Sequence, residues 1–383
     1  MALTLYVFCS IALAISYLIL ILIYLYHWDR SPTLLIPDDF EPRSKISVII
    51  PIRNEAEHIV GLLESIIANH YPKSLLEIIV IDDHSTDESA ALVKQLNVDN
   101  IKVLSLEEFE LPNDFNSYKK FGISKAIEMA QGDFIITTDG DCQVPNRWLY
   151  YLAYVFEIKE KSFVAAPVNF TPSRNALVAF QALDFMGMML VTGANISRSK
   201  SLLCNGANLG YSKDLFLKVG GYKGISEQAS GDDVMLMNRI ADQNKEAIYF
   251  IKNKEATVYT KAVSNWSAFV QQRLRWGTKN NNSNDIYLKF ELGIAYLLCI
   301  NLFLMPIIFL FSSKYLLGVW LFTLLIKVFA DFLLLRKASL FFEAIEQMGR
   351  FLPSFFIHIF YIAFVGTLSL FKKKYVWKGR EVH

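Results

Sequence analysis

Two carboxylates separated by one glycine, Asp139-Gly140-Asp141, are the residues of this sequence that most directly suggest chemistry. Acids one residue apart on a turn can both approach a hard divalent cation, and their oxygen ligands suit Mg²⁺ or Mn²⁺. A cation at this position can neutralise the charge that develops on a leaving diphosphate. Asp-Gly-Asp is also common turn chemistry, so the metal site depends on what lies beside it.

A second acidic pair, Asp232-Asp233, opens a helix predicted over residues 234–240. The helix dipole favours acids at this position, which is a sufficient explanation for Asp232. For Asp233 we predict catalysis as general base. Displacement of a diphosphate by a hydroxyl needs a carboxylate within hydrogen-bond reach of that hydroxyl.

Polar residues also follow two predicted strands, residues 46–50 and 76–81. The second strand ends at Asp82-Asp83, where a carboxylate can accept hydrogen bonds from a base or a ribose. The first strand leads into Pro51-Ile52-Arg53-Asn54-Glu55 in the same plane. Both segments therefore lie at the edge of the sheet where ligands bind.

Ordinary helix starts are the alternative at both places. Helical periodicity begins at Asn54, and Ser85 with Glu88 has the spacing of a capping box.

The segment Gln272-Arg273-Leu274-Arg275-Trp276 ends a helix that leads towards an apolar region. Arg275 is a suitable fork for a diphosphate, and Trp276 offers an apolar face to a sugar ring or a lipid. Arg and Trp near a bilayer are otherwise ordinary interface anchors. The pair Lys119-Lys120 can reach a phosphate or forms a solvated basic pair.

Alternating strands and helices have to position these residues. Further strands are predicted at residues 101–104 and 134–138, with a helix at residues 124–130 between them. This βαβα order predicts a parallel sheet with ligands at the carboxyl ends of its strands.

Apolar segments lie at both ends of the chain, in which hydrophobic residues make up 53% and charged residues 20%. Residues 3–26 carry no charge and are long enough to span a bilayer. Three more spans are predicted at residues 292–311, 315–335 and 351–371. In the second of these, Lys327 and Asp331 are four residues apart and can pair or face a bundle interior.

The apolar run of residues 176–191 contains Gln181 and Asp184. It is either a core helix or, as we favour, an amphipathic helix resting on the membrane.

Basic residues after the first span place the central region in the cytoplasm. Three spans after a cytoplasmic domain would put Lys372-Lys373-Lys374 outside, against the positive-inside tendency, unless one segment lies in the interface. The net charge of +1 gives no nucleic-acid signal. The four cysteines lack Cys-x-x-Cys spacing and indicate neither a disulfide framework nor a zinc site.

Taken in order, the segments Asp82 to Asp87, Asp139 to Asp141, Gly231 to Asp233 and Gln272 to Trp276 resemble family 2 inverting glycosyltransferases. The closest layout is the membrane-embedded branch with cellulose synthase, hyaluronan synthase and ceramide glucosyltransferase. The resemblance implies an α/β GT-A (Rossmann-like) fold with one N-terminal and about three C-terminal transmembrane helices.

By motif position, the resemblance also implies roles for individual residues. Asp139 and Asp141 would bind Mg²⁺ or Mn²⁺, and Asp233 would be the catalytic base. Nucleotide and donor contacts are expected from Pro51, Asn54, Glu55, Asp83, Lys120, Asp139 and Arg275. Acceptor-side contacts are expected from Asn205, Gly206, Asp232, Gln272 and Trp276.

We therefore expect an N-terminal anchor (residues 1–28), a cytosolic GT-A domain (29–285) and a C-terminal transmembrane bundle with a basic tail (286–383). The predicted function is transfer of a sugar from a nucleotide-sugar donor to a lipid or lipid-linked hydroxyl at an inner or plasma membrane. A processive polysaccharide synthase is the main alternative. A glycosidase would need carboxylates about 5 to 9.5 Å apart across a sugar ring, and a non-catalytic scaffold would tolerate loss of Asp233.

Overall fold

Our computed structural model of the protein describes residues 1–111, 117–173, 175–223, 231–281, 285–310, 314–371, 375–377 and 380–382. Contacts between Cα atoms divide the chain into two units. The helical unit comprises Met1–Ser31, Pro172–Ser201 and Ala262–His383, and the sheet unit comprises Pro32–Thr171 and Leu202–Lys261. Residues 172–201 and 262–285, which the sequence places in a GT-A domain of residues 29–285, thus belong to the helical unit.

The strands of the sheet unit are mostly short, and several are buried along their whole length. In chain order they are β1 Ile46–Ile52, β2 Leu76–Asp82, β3 Ile101–Ser105, β4 Phe134–Thr137, β5 Phe163–Ala165, β6 Val168–Phe170, β7 Leu209–Ser212, β8 Ile248–Phe250 and β9 Val258–Thr260. A further pair, β10 Tyr375–Trp377 and β11 Arg380–Val382, lies in the helical unit.

The helices are numbered through both units. They are α1 Ala2–Arg30, α2 Ile59–Ile67, α3 Ser89–Gln95, α4 Tyr118–Met129, α5 Trp148–Glu157, α6 Ala176–Ser197, α7 Lys213–Lys218, α8 Asp232–Gln243, α9 Trp266–Asn281, α10 Ile286–Leu310, α11 Tyr315–Phe341 and α12 Phe351–Phe371.

The main sheet has the strand order β3-β2-β1-β4-β7-β5-β8. The first four strands run parallel, as the alternating pattern predicts, and β1 and β2 are almost entirely buried strands rich in Ile and Val. The expectation of a parallel sheet is wrong beyond β4, because β7 runs antiparallel to both β4 and β5. The βαβα alternation on which that expectation rested ends at β4. The sheet that positions the site is therefore mixed.

Two helix starts differ from the sequence prediction. The helix expected from Asn54 begins at Ile59. Asn54 itself adopts a positive φ of 55°, and its side chain accepts a hydrogen bond from Thr86 in the loop after β2. The capping box is wrong as well: α3 begins at Ser89, and Ser85 instead accepts a hydrogen bond from the Asn54 backbone. Both segments serve as paired loops at the sheet edge.

Among the described residues of the helical unit, five helical segments are long and apolar enough to cross a membrane: Leu3–Arg30, Ala176–Ser197, Ile286–Leu310, Tyr315–Phe341 and Ile345–Phe371. Four of them correspond to the predicted spans. The expected Lys327 and Asp331 pair is confirmed, with Nζ and Oδ2 2.5 Å apart. The predicted basic tail Lys372-Lys373-Lys374 lies outside the described residues.

The fifth segment is α6, which we expected to rest on the membrane surface. That interpretation is wrong, because most of its side chains are buried and it packs against α1, α11 and α12. The core alternative is right. Gln181 and Asp184 reflect polar contacts inside the helical unit rather than a solvent-facing side.

Candidate active site

The Asp139-Gly140-Asp141 turn follows β4 and is fixed on two sides within the sheet unit. A Cβ atom on Gly140 would lie 2.9 Å from Ile52 Cγ2 and 3.1 Å from Glu55 Cγ, so only glycine fits without displacing these side chains. On the other side, the Thr260 hydroxyl donates to Asp141 Oδ2 over 3.1 Å. The sheet therefore holds this turn against the loop that follows β1.

A lysine from α4 reaches the same turn. Lys119 Nζ lies 2.8 Å from Asp139 Oδ1. Burial acts to lower the pKa of Lys119, but the carboxylates of Asp139, Asp232 and Asp233 outweigh it and raise the pKa above its ordinary value. Lys119 is therefore a fixed positive charge among three acids.

The donor contact expected of Lys120 stays a prediction, because Lys119 is the lysine of this pair at the pocket. Lys120 is buried at 4% exposure and is not among the residues that line the neighbouring pocket, whereas Lys119 is. Successive residues on a helix point about 100° apart, so the start of α4 at Tyr118 decides which lysine reaches the pocket. The sequence indicates that a lysine of this pair can reach a phosphate, but it does not indicate which of the two faces the pocket.

The turn opens into a pocket that brings several predicted site residues together. Its lining comes from β1, α4, the end of β4, the loop before β7 and the start of α8. The lining residues are Pro51, Lys119, Ile123, Thr137, Thr138, Asp139, Gly206, Leu209, Tyr211, Tyr222, Asp232, Asp233 and Leu236. Among these described residues, three carboxylates face one ammonium group, so the lining carries surplus negative charge.

Asp233 is held at the start of α8 by backbone donors. The Gly206 N–H donates to its Oδ2 over 3.0 Å, and the Val234 N–H donates to its Oδ1 over 2.9 Å. Hydrogen bonds of this kind favour the ionised carboxylate. Gly231 caps the helix at a φ of 94°, a conformation that favours glycine.

The loop before β7 is tied to the sheet as well. The Thr137 hydroxyl donates to the Gly206 carbonyl over 2.9 Å, and Asn205 Oδ1 accepts from the Ala207 N–H over 2.9 Å. Asn205 therefore shapes the loop, and Gly206 links the end of β4 to Asp233.

The loops after β1 and β2 are bonded to each other. Asn54 Oδ1 accepts from the Thr86 N–H over 2.8 Å. Arg53 Nη1 donates to the Asp83 carbonyl over 2.8 Å and lies 3.8 Å from Asp83 Oδ1, while Asp83 is buried at 4% exposure. Asn54 and Arg53 thus stabilise the position of Asp83. Arg53 is absent from the residues predicted as functional, although it stands in the segment the sequence singled out.

Asp139 and Asp141 can supply some of the ligands that a metal site needs. The described part of the chain holds no cluster of three or more His, Cys, Asp or Glu side chains placed to ligate an ion. Asp139 nevertheless holds a cationic group, the Lys119 ammonium, and the Thr260 hydroxyl orients Asp141. Two carboxylates of this kind fit a hard cation whose other ligands come from a bound phosphate group.

The predicted residues Gln272, Arg275 and Trp276 lie on α9 in the helical unit. The Trp276 ring contacts Phe185 with the ring centroids 5.8 Å apart, and the Arg273 guanidinium lies 4.5 Å from the Trp276 ring centroid. Arg273, in the same motif, was not predicted to have a role of its own.

Comparisons with known proteins agree with this fold. The description "Glycosyl transferase family 2" matches residues 47–218, and "Glycosyl transferase family group 2" matches residues 134–369, more than half of the chain. Mannosyltransferase PcManGT of Pyrobaculum calidifontis, in complex with GDP-Man and Mn²⁺, is similar with a TM-score of 0.59 at 16% identity, covering 96% of this chain and 99% of that chain. The expected GT-A fold is confirmed.

Two relatives align over a shorter length. Glycosyltransferase AglE of Haloferax volcanii is 29% identical over 199 residues, which is 51% of this chain and 61% of that protein. Beta-monoglucosyldiacylglycerol synthase of Synechocystis is 26% identical over 258 residues, which is 65% of this chain and 50% of that protein. The chain thus spans about half to three fifths of these relatives. On the family match across residues 134–369, it belongs to glycosyl transferase family group 2.

Proposed function

We propose that this protein is an integral membrane glycosyltransferase. It transfers one sugar, with inversion, from a nucleotide-sugar donor to the hydroxyl of a lipid or lipid-linked acceptor. The observation that carries the proposal is the pocket at the sheet edge, where Asp139, Asp232 and Asp233 surround Lys119. Surplus negative charge in a partly buried pocket favours a cation, and a cation in turn favours a diphosphate.

Donor binding uses the Asp139-Gly140-Asp141 edge. Asp139 and Asp141 would hold a divalent cation, Mg²⁺ or Mn²⁺, which would supply positive charge for the leaving diphosphate. The nucleotide side is formed by Pro51, Asn54, Glu55 and Asp83. Arg275 is the further diphosphate contact that the motif implies. The bonded loops after β1 and β2 support this role, because they keep a buried carboxylate, Asp83, at the strand ends.

Asp233 removes the proton from the acceptor hydroxyl. The carboxylate has to be ionised before it can act as a base, and the N–H groups of Gly206 and Val234 favour that form. Asp232 and Gly206 form the acceptor side of the pocket, and Asn205 shapes the loop that carries Gly206. A base on one face of the sugar and the diphosphate on the other give a product of inverted configuration.

A lipid acceptor is supported by the helical unit. Gln272 and Trp276, the remaining acceptor-side residues, lie on α9, in the same unit as the five candidate spans. The Synechocystis relative bears the name of a glycolipid synthase. A bilayer that presents the acceptor lowers the entropic cost of bringing it to the base. The proposal places the catalytic residues in the cytosol at an inner or plasma membrane, in keeping with the basic residues that follow the first span.

The test incubates membranes containing the protein with a panel of labelled nucleotide sugars and then separates the lipid extract from polymer. We expect an organic-soluble product that bears one sugar and does not lengthen with time. Membranes with the Asp233→Asn variant are the matched control and should form none. A water-soluble ladder of increasing length would instead identify a processive polysaccharide synthase. No transfer from any donor would contradict the enzymatic proposal.

A further inference from the structure

A buried ion pair in the helical unit joins the motif helix α9 to α6. Arg273 Nη2 lies 2.9 Å from Asp184 Oδ2, and the two side chains are 3% and 6% exposed. Two residues of α12 also face Asp184. The Tyr361 hydroxyl donates to its Oδ2 over 3.5 Å, and His358 Nε2 lies 3.9 Å from its Oδ1. The carboxylate therefore holds the guanidinium at a fixed place among three helices.

The held guanidinium lies against aromatic rings of α9 and α12. Its central carbon is 4.5 Å from the Trp276 ring centroid, 5.1 Å from that of Phe269 and 5.6 Å from that of Tyr361. Of the three contacts, the one to Trp276 is the shortest. A planar cation over an indole face restricts the ring's orientation, and Phe185 contacts the same ring.

A second ion pair of the same construction lies elsewhere in the helical unit. Arg198, which caps the end of α6, pairs with Glu291 on α10. The Tyr24 hydroxyl donates to Glu291 over 3.0 Å, and the Arg198 guanidinium lies 5.3 Å from the Tyr24 ring centroid. Both pairs join α6 to another helix and include a tyrosine. They differ in one respect, because only the Arg273 pair contacts a ring of the Gln272 to Trp276 motif.

We propose that Arg273, fixed by Asp184, is a positioning residue that sets the orientation of the Trp276 ring for the acceptor. The inference rests on the proposed function, in which Trp276 contacts the acceptor. Arg273 touches neither donor nor acceptor and acts through the indole. A purely structural pair would affect stability alone, whereas a positioning pair changes use of the acceptor and depends on Trp276.

The test measures KM for donor and for lipid acceptor in Asp184→Asn and Arg273→Lys, each alone and combined with Trp276→Ala. Loss of a desolvated cation–ring contact should raise acceptor KM about tenfold and leave donor KM within about twofold. In the Trp276→Ala background the same substitutions should add nothing further. Glu291→Gln, the matched control, should leave both KM values unchanged. Equal effects on both substrates, or effects that multiply with Trp276→Ala, would overturn the proposal.

A second readout does not depend on catalysis. The difference between the fluorescence of the parent protein and that of Trp276→Phe isolates the Trp276 signal. Arg273→Lys, which retains the charge and is less disruptive than Asp184→Asn, should make that signal more accessible to acrylamide, and Glu291→Gln should not. An unchanged signal would refute positioning even if transfer is confirmed. A changed signal without lipid transfer would refute the proposed acceptor while the positioning of the ring stands.

Discussion

Charged residues are arranged differently in the two units. In the sheet unit, Asp139, Asp232 and Asp233 converge on one lysine, Lys119, at the lining of a pocket. In the helical unit, the buried acids are matched one to one with cations. The matched pairs are Asp184 with Arg273, Glu291 with Arg198, and Asp331 with Lys327.

The difference separates two uses of a buried charge. A buried charge is costly unless it is paired, so one-to-one pairs are what a stable bundle of apolar helices requires. The surplus of acids around Lys119 is not neutralised in this way. It favours the binding of a cationic partner, and it lies at the strand ends where α/β sheets bind ligands.

The largest effect should come from the base. Asp233→Asn should reduce transfer by roughly 10²- to 10⁴-fold, because the amide cannot take the acceptor proton. Donor binding should be preserved. Single-turnover rates and equilibrium donor binding measure the two quantities.

Asp214 provides a matched control, since it also lies in the first turn of a helix, α7, but does not line the pocket. Asp214→Asn should leave transfer unchanged. If Asp233→Asn weakens donor binding while transfer survives, Asp233 is a donor ligand and the base is elsewhere.

A smaller effect, on stability alone, is expected from the matched pair of Asp331 and Lys327. Asp331→Asn leaves Lys327, which is fully buried, without its carboxylate, while the amide oxygen can still accept from the Tyr17 hydroxyl. We expect a loss of about 3 kcal/mol, seen as earlier thermal unfolding in detergent. The exposed pair of Asp29 and Lys337 is the control, and Asp29→Asn should cost less than about 1 kcal/mol. Equal losses would show that burial does not decide the value of these pairs.

The smallest effect concerns the lysine in the acidic pocket. Lys119→Met removes the positive charge beside Asp139, so the surplus of negative charge grows. Affinity for Mn²⁺ alone, measured by electron paramagnetic resonance, should rise roughly tenfold. Lys125→Met, on the same helix but paired with Glu128, should change nothing. Weaker Mn²⁺ binding by Lys119→Met would mean that the lysine helps to build the cation site rather than competing for it.

The sequence predicted the parallel part of the sheet because strands rich in Ile and Val, such as β1 and β2, alternate with helices. The motif resemblance also implied site roles for Asp139, Gly206, Asp232 and Asp233, and the pocket contains all four. Strand patterns and motifs of this kind can be recognised from the sequence alone.

Other features depend on packing that a pattern does not contain. Which of Lys119 and Lys120 faces the pocket depends on the register of α4, which the sequence does not define. The antiparallel direction of β7 beside β4 depends on the path of the chain between the two strands. The burial of α6 could not be predicted without knowing which helices pack against it. A polar residue in an apolar run is compatible both with a helix on the membrane surface and with a buried ion pair.

The central claim is that Asp139 and Asp141 of the sheet unit bind a cation together with the donor diphosphate. Equilibrium binding of UDP and of GDP, with Mn²⁺ and with EDTA, to the parent protein and to Asp141→Asn tests it most directly. We expect at least one nucleotide to bind with Mn²⁺, and its affinity to fall by about tenfold or more in EDTA or in Asp141→Asn, because an amide is a poorer ligand for a hard cation. Equal affinity in EDTA, with Asp141→Asn unaffected, would contradict the claim.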